Sequence, residues 1–164
     1  MNEALSTYFA GEKNGGLVLV GMGVVMAIAA VLLFPARHEL RTMAIAFGLW
    51  SALELAVGVG LYLKTDGQLS GLQQLLASDR AAMLASETPR MEIVQRNFVI
   101  IQYVWMAFIV GGALLGWWMK ETRPAIGGVA LAFMINASMF LAFEISAERR
   151  GAVYLLNLKT RATQ

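Results

Sequence analysis

The sequence predicts an all-α integral membrane protein: a four-transmembrane-helix bundle of two antiparallel hairpins, with helical extensions on one face. Three observations predict it. Four apolar stretches, 15–34, 43–63, 98–119 and 124–143, hold a single charged side chain between them, Glu54. Each stretch is about 20 residues long, and at about 1.5 Å per residue that matches the roughly 30 Å of a hydrocarbon core. Hydrophobic residues make up 58% of the 164-residue chain and charged residues 15%, a balance too apolar for a soluble domain.

The elements follow in order. Residues 1–10 carry Leu5, Tyr8 and Phe9 at the spacing of a short amphipathic helix, and the glycine-rich run 11–16 reads as a break after it. Span one (15–34) bears Gly16, Gly23, Ala27 and Ala30, a small-residue stripe that lets a neighbouring backbone come close. It ends at Pro35, and the short link 36–42 makes spans one and two a hairpin. Spans three and four form a second hairpin through 120–123, with Trp117 and Trp118 at the height of an interfacial aromatic belt. Gly111-Gly112 and Gly127-Gly128 read as close-packing positions between them.

Between the hairpins lies an extramembrane helical loop, 64–97. Leu69, Leu72, Leu76 and Met83 predict one amphipathic helix before Glu87. Thr88-Pro89 then reads as a helix start, with Glu92 and Arg96 four apart as a supporting ion pair. Nothing breaks span four at its end, so a helical extension over 144–158 is expected. The whole chain, 1–164, reads as one membrane domain, and the first span is read as retained, its charge pattern and length being unlike a cleaved leader.

Orientation comes from the basic residues. Of 13 Lys and Arg, Arg37, Arg41, Lys120 and Arg123 fall on the face of the two short turns, and the other nine on the face of the termini and long loop. The positive-inside rule puts both termini in the cytoplasm of a multi-pass protein, and a bacterial inner membrane is the expected home.

Glu54 is the residue most worth weighing. A charge at mid-bilayer costs at least a few kcal/mol, so this carboxyl must face protein or water, or carry a proton. Gly48, Ser51, Glu54, Gly58 and Tyr62 form one small or polar stripe, while Leu49, Ala52, Ala56, Val59 and Leu63 form the lipid-facing side. Asn136, at matching depth in span four, is the expected hydrogen-bond partner, so the intramembrane polar site is Glu54, Asn136, Ser51 and Tyr62. A polar collar of Gln102, Glu144, Arg96 and Asn97 is expected on the cytoplasmic side, with a packing role. Arg149 and Arg150 are placed against anionic lipid headgroups.

Composition and motifs exclude several classes. Cysteine is absent, which removes disulfides, thiol redox chemistry and thiolate metal sites. The single histidine, His38, cannot complete a zinc motif or a two-histidine haem site within one chain. The methionines are too scattered for a thioether copper site. A net charge of +2 without a basic, aromatic-interleaved patch argues against a nucleic-acid partner. No catalytic set, cofactor or metal is therefore expected. The leading expectation is a non-enzymatic structural or accessory subunit, a homo-oligomer or part of a larger membrane complex. The alternative is a small oligomeric channel or transporter for protons, cations or a small solute, with Glu54 on the pathway.

Overall fold

A computed structural model describes residues 1–162, apart from the side chain of Glu39. Among these residues there are four helices and no strands: α1 (Asn2–Leu33), α2 (His38–Ser78), α3 (Arg80–Met119) and α4 (Pro124–Ala162). Each is long and apolar enough to cross a membrane. At 32, 41, 40 and 39 residues, they are longer than the roughly 20 residues a bilayer core needs. The two outer turns, 34–37 and 120–123, lie at the ends of the apolar stretches, so all four helices overshoot on the same side. The overshoot forms a second bundle, the head.

The head has a hydrophobic core of its own. Leu5, Tyr8, Phe9, Met83, Met91, Tyr154 and Leu158 are buried together, with Leu69, Leu72 and Leu76 packed against them. The rings of Tyr8 and Tyr154 stack with centroids 4.5 Å apart, and Phe9 meets Tyr8 edge-on at 5.1 Å. The amphipathic residues of 1–10 thus bury the face their spacing predicts.

Three expected breaks are not there. The glycine run 11–16 is continuous helix, and no glycine among the described residues has a positive φ. These glycines serve close packing instead. A β-carbon on Gly16 would stand 2.8 Å from the carbonyl oxygen of Gly58, and one on Gly58 would stand 2.7 Å from that of Gly16.

The loop 64–97 is likewise helical almost throughout. Leu69, Leu72 and Leu76 extend α2, Met83 belongs to α3, and only Asp79 lies between the two helices. Asp79 is extended (φ −149°, ψ 92°), and its Oδ1 accepts from the Ala82 amide at 2.9 Å, capping α3. Thr88-Pro89 therefore does not start a helix: Pro89 lies inside α3. A proline interior to a helix leaves the carbonyl four residues back without its donor. Here that residue is Ala85, which is exposed like Pro89, so the freed carbonyl is on the solvent side while Met83, Glu87 and Met91 bury the opposite face. Similarly, α4 runs past 158 to Ala162.

Helix pairs α1/α2 and α3/α4 make the two hairpins, α4 also packs on α2 and α1, and α2 touches α3. Among the described residues α1 and α3 do not meet, so they occupy opposite corners of a rhombus whose short diagonal joins α2 and α4. Trp50 on α2 is ringed by Trp105, Phe133 and Phe140 at centroid distances of 6.0, 5.4 and 5.8 Å. At the outer turns, Thr42 Oγ1 donates to the Ala125 carbonyl at 3.1 Å and ties one hairpin to the other. On α3 and α4, Gly112 is the tight glycine, its notional β-carbon 2.9 Å from the Ala130 carbonyl; Gly111 faces open space and does not pack as expected.

Gly16→Val and Gly58→Val should each destabilise the bundle by about 1–3 kcal/mol, because the wall opposite is backbone and cannot yield. Gly60→Ala, where a β-carbon meets nothing within 4 Å, should be neutral or stabilise by up to about 1 kcal/mol. Thermal unfolding in mild detergent measures both.

Candidate functional site

Glu54 lies where the stripe pattern puts it. It is 0% exposed, Ser51 and Gly58 beside it are buried, and Gly48 and Tyr62 are half-buried. The five residues of the opposite face, Leu49, Ala52, Ala56, Val59 and Leu63, are all exposed. Its wall is the backbone of α1: a β-carbon on Gly23 would stand 3.2 Å from the Glu54 β-carbon and 3.1 Å from the Ser51 carbonyl. Among the described residues, neither carboxyl oxygen has a hydrogen-bond partner.

The expected Glu54–Asn136 hydrogen bond is not formed. Asn136 is also 0% exposed, but its Nδ2 donates to the Ala132 carbonyl of its own helix at 2.9 Å, and its Oδ1 is unpartnered. The reason is register. Trp50 packs between Phe133 and Phe140, which sets it level with Asn136. Glu54, four residues further along the parallel helix α2, is then about one turn, or roughly 6 Å, nearer the head. Tyr62 lies two turns beyond Glu54 and faces a different group: Lys13 Nζ sits 4.7 Å from its ring centroid and 2.6 Å from Asp66. Of the four predicted residues, Glu54 and Ser51 adjoin on one stripe, and Asn136 and Tyr62 lie at other levels.

The collar is only half present. Gln102 and Glu144 are half-buried, and Gln102 Nε2, Glu144 Oε2 and Trp105 Nε1 are buried without hydrogen-bond partners among the described residues. Trp105 stacks on Phe140 at 4.8 Å, which brings Gln102 and Glu144, each about one turn headward on antiparallel helices, to one level. Arg96 and Asn97 are exposed and take no part. The residue on the inward face is Gln95, seven before Gln102, whose Nε2 donates to the Glu148 carbonyl at 3.2 Å. Glu92 pairs across the head with Lys159 at 2.6 Å rather than with Arg96.

A further polar cluster in the head was not expected. Glu87 is buried and bound at both oxygens by Arg90, Nε and Nη2 each at 2.6 Å, and Tyr154 donates to it at 3.3 Å. Burial, with the Glu87 charge beside it, pushes the Tyr154 hydroxyl above its usual range. The signal was present in Met83, Glu87 and Met91, spaced four apart on one buried face.

Arg149 is exposed, as a headgroup contact requires. Arg150 is half-buried and its stem lies across α1: a β-carbon on Gly11 would stand 2.7 Å from its Cδ, and its Nη1 donates to Ser146 Oγ at 3.0 Å. Burial pushes the Glu12 carboxyl up from 4.5, while Arg150 and then Arg90 pull it down. Among the described residues no group of three or more His, Cys, Asp or Glu is placed to hold a metal ion. The enclosed carboxyl of Glu54 can exchange a proton or fix packing.

Glu12, favoured in its protonated form by the fold, contributes stability that is full below pH 4.5 and is lost as pH rises through its raised folded value. Glu12→Gln should therefore unfold at a higher temperature than the parent at pH 7, and the gap should shrink toward pH 4. Melting curves in detergent across that range check it; a variant less stable than the parent at pH 7 would mean that attraction to Arg150 outweighs burial.

Compared with known protein families, curated proteins and solved structures, the chain matches none.

Proposed function

We propose that this chain is a multi-pass membrane protein, with both termini and the head in the cytoplasm, acting as a non-enzymatic structural or accessory subunit. Its home would be a bacterial inner membrane, and its partner a second copy or a larger membrane complex. Membrane embedding is supported by the surface of the apolar half, where Val31, Leu32, Leu49, Leu63, Leu114, Trp117 and Trp118 are all at least 67% exposed. Such a belt is far larger than water tolerates. The nine cations on the head side support the orientation.

One observation carries the assembly role: no residue of α3 within 98–119 is buried by its own chain. This helix stands out from a corner of the rhombus. Around its outward face, Val104, Phe108 and Leu115 flank Gly111, where a β-carbon would meet nothing within 4 Å. Small residues of this kind are where membrane helices bring their backbones together. In mild detergent the protein should run as a defined homo-oligomer or with a fixed partner. Gly111→Trp should keep the helical content and shift that species toward the monomer by about tenfold or more in dissociation constant, roughly 1.4 kcal/mol or more. A parent that is monomeric and partnerless removes the reading.

The transport reading is favoured by a different observation, the two unpartnered oxygens of Glu54. Intramembrane carboxylates often mark proton or cation routes. On this reading Glu54→Gln abolishes proton or cation flux in liposomes while circular dichroism stays unchanged. Parent protein without flux for any tested ion leaves only the assembly role.

A further inference from the structure

A groove of about 540 Å³ runs between α1 and α4 on the side away from α3, and its chemistry changes along its length. At the head end it is lined by Asn14, Ser146 and Arg150; towards the outer turns it is lined by Val18, Met22 and Met139. Phe143 and Gly15 mark the change, and they are also the headward limits of the two apolar stretches. From Gly15 to Met22 the apolar shaft is about 10 Å deep. Its walls include Val18, 54% exposed, so the shaft opens sideways.

The mouth is cationic and held ready. Arg150 reaches over Gly15, where a β-carbon would come within 3.4 Å of its Nη2. Nη1 is braced by Ser146, and Nε is buried without a hydrogen-bond partner. Glu12 is within electrostatic reach, but among the described residues no ion pair joins it to Arg150. Arg149 adds a second, exposed positive charge beside the mouth.

We infer that this groove binds one anionic phospholipid of the surrounding bilayer, its phosphate at Arg150 and Ser146 and an acyl chain along Val18 and Met22. The inference rests on the membrane-embedded reading above. The order of the lining matches the order of a lipid, polar at the interface and apolar inward, and the charge at the mouth is complementary. A guanidinium braced on one edge presents its remaining donors to phosphate oxygens. A water-soluble partner would have no use for the shaft, and a zwitterionic lipid would gain less from Arg150.

Native mass spectrometry of the full chain, released from detergent after mixing with phosphatidylglycerol or phosphatidylcholine, tests this. One phosphatidylglycerol should remain bound where phosphatidylcholine is lost. Arg150→Gln should weaken retention by about tenfold, the worth of one charged hydrogen-bonding group. Val18→Trp, at an exposed position that leaves the fold intact, should fill the shaft and reduce retention with the charge still present; it carries the test if Arg150→Gln fails to fold. Equal retention of both lipids, unaltered by either variant, would mean annular lipid only and overturn the site. Alkaline extraction separates the two layers of the argument. A chain washed off membranes refutes embedding, whereas one that stays embedded without a preferred lipid refutes the groove alone.

Discussion

The approach of the α1 and α2 backbones at Gly16 and Gly58 fixes the rest of the molecule. With no side chain on either residue, the two helices lie almost in backbone contact, and the notional β-carbons would overlap the opposite carbonyls. That contact locks the register of the first hairpin. About two turns towards the outer turns, the same seam sets Gly23 against Ser51 and the stem of Glu54, which closes the acid away. In the other direction it sets Lys13 beside Asp66 and Tyr62. A shift of one residue would swing Glu54 about 100° around its helix, out of the seam.

Two different forces hold the two halves. In the head, burial of Leu5, Tyr8, Phe9, Met83, Tyr154 and Leu158 removes apolar surface from water and draws on the hydrophobic effect. On the membrane-embedded reading proposed above, lipid supplies no such drive in the apolar half, and close packing does the work there. The sequence is partitioned accordingly. Large aliphatic and aromatic side chains fill the head core, whereas the inner faces of α1, α2 and α4 carry Gly16, Gly23, Ala46, Gly58, Ala132 and Ala137, all buried. Large side chains are buried there too, Leu19, Met26 and Phe47 among them, and the aromatic group around Trp50 fills the space between α2, α3 and α4.

Hydropathy and period made the four apolar stretches and the inward stripe of α2 legible, because both are statements about one helix and its solvent. What stayed hidden was relational. Gly11, Gly15 and Gly16 are indistinguishable in sequence from a helix break until the side chain or backbone opposite them is known. Thr88-Pro89 resembles a helix start more closely than Asp79 does, yet a hairpin turn must come where the two helices run out of shared core, and that is at Asp79. Glu54 and Asn136 share a count of residues from their span ends, but depth by counting ignores the stagger that Trp50 imposes between Phe133 and Phe140. Gln95, seven residues before Gln102 on the same face of α3, stayed hidden because Arg96 and Asn97 were chosen by depth and not by helix face. One turn was enough to undo a partner assignment whose two burials were both correct.

Arg150 shows how these levels join. It stands at the boundary between the two halves, where a long cationic side chain on α4 would ordinarily turn outward to solvent. Gly11 and Gly15, four apart on one face of α1, leave a flat track on which that side chain lies, while Ser146 one turn back holds its tip. The glycine run that looked like a hinge therefore brings a charge to the edge of the apolar half. Were Gly11 to carry even a methyl group, the Arg150 stem would have to shift, and with it one of the positive charges that draw the Glu12 carboxyl down against burial. The run is helical because its glycines are occupied in packing, and the cation sits at the groove mouth because they are glycines.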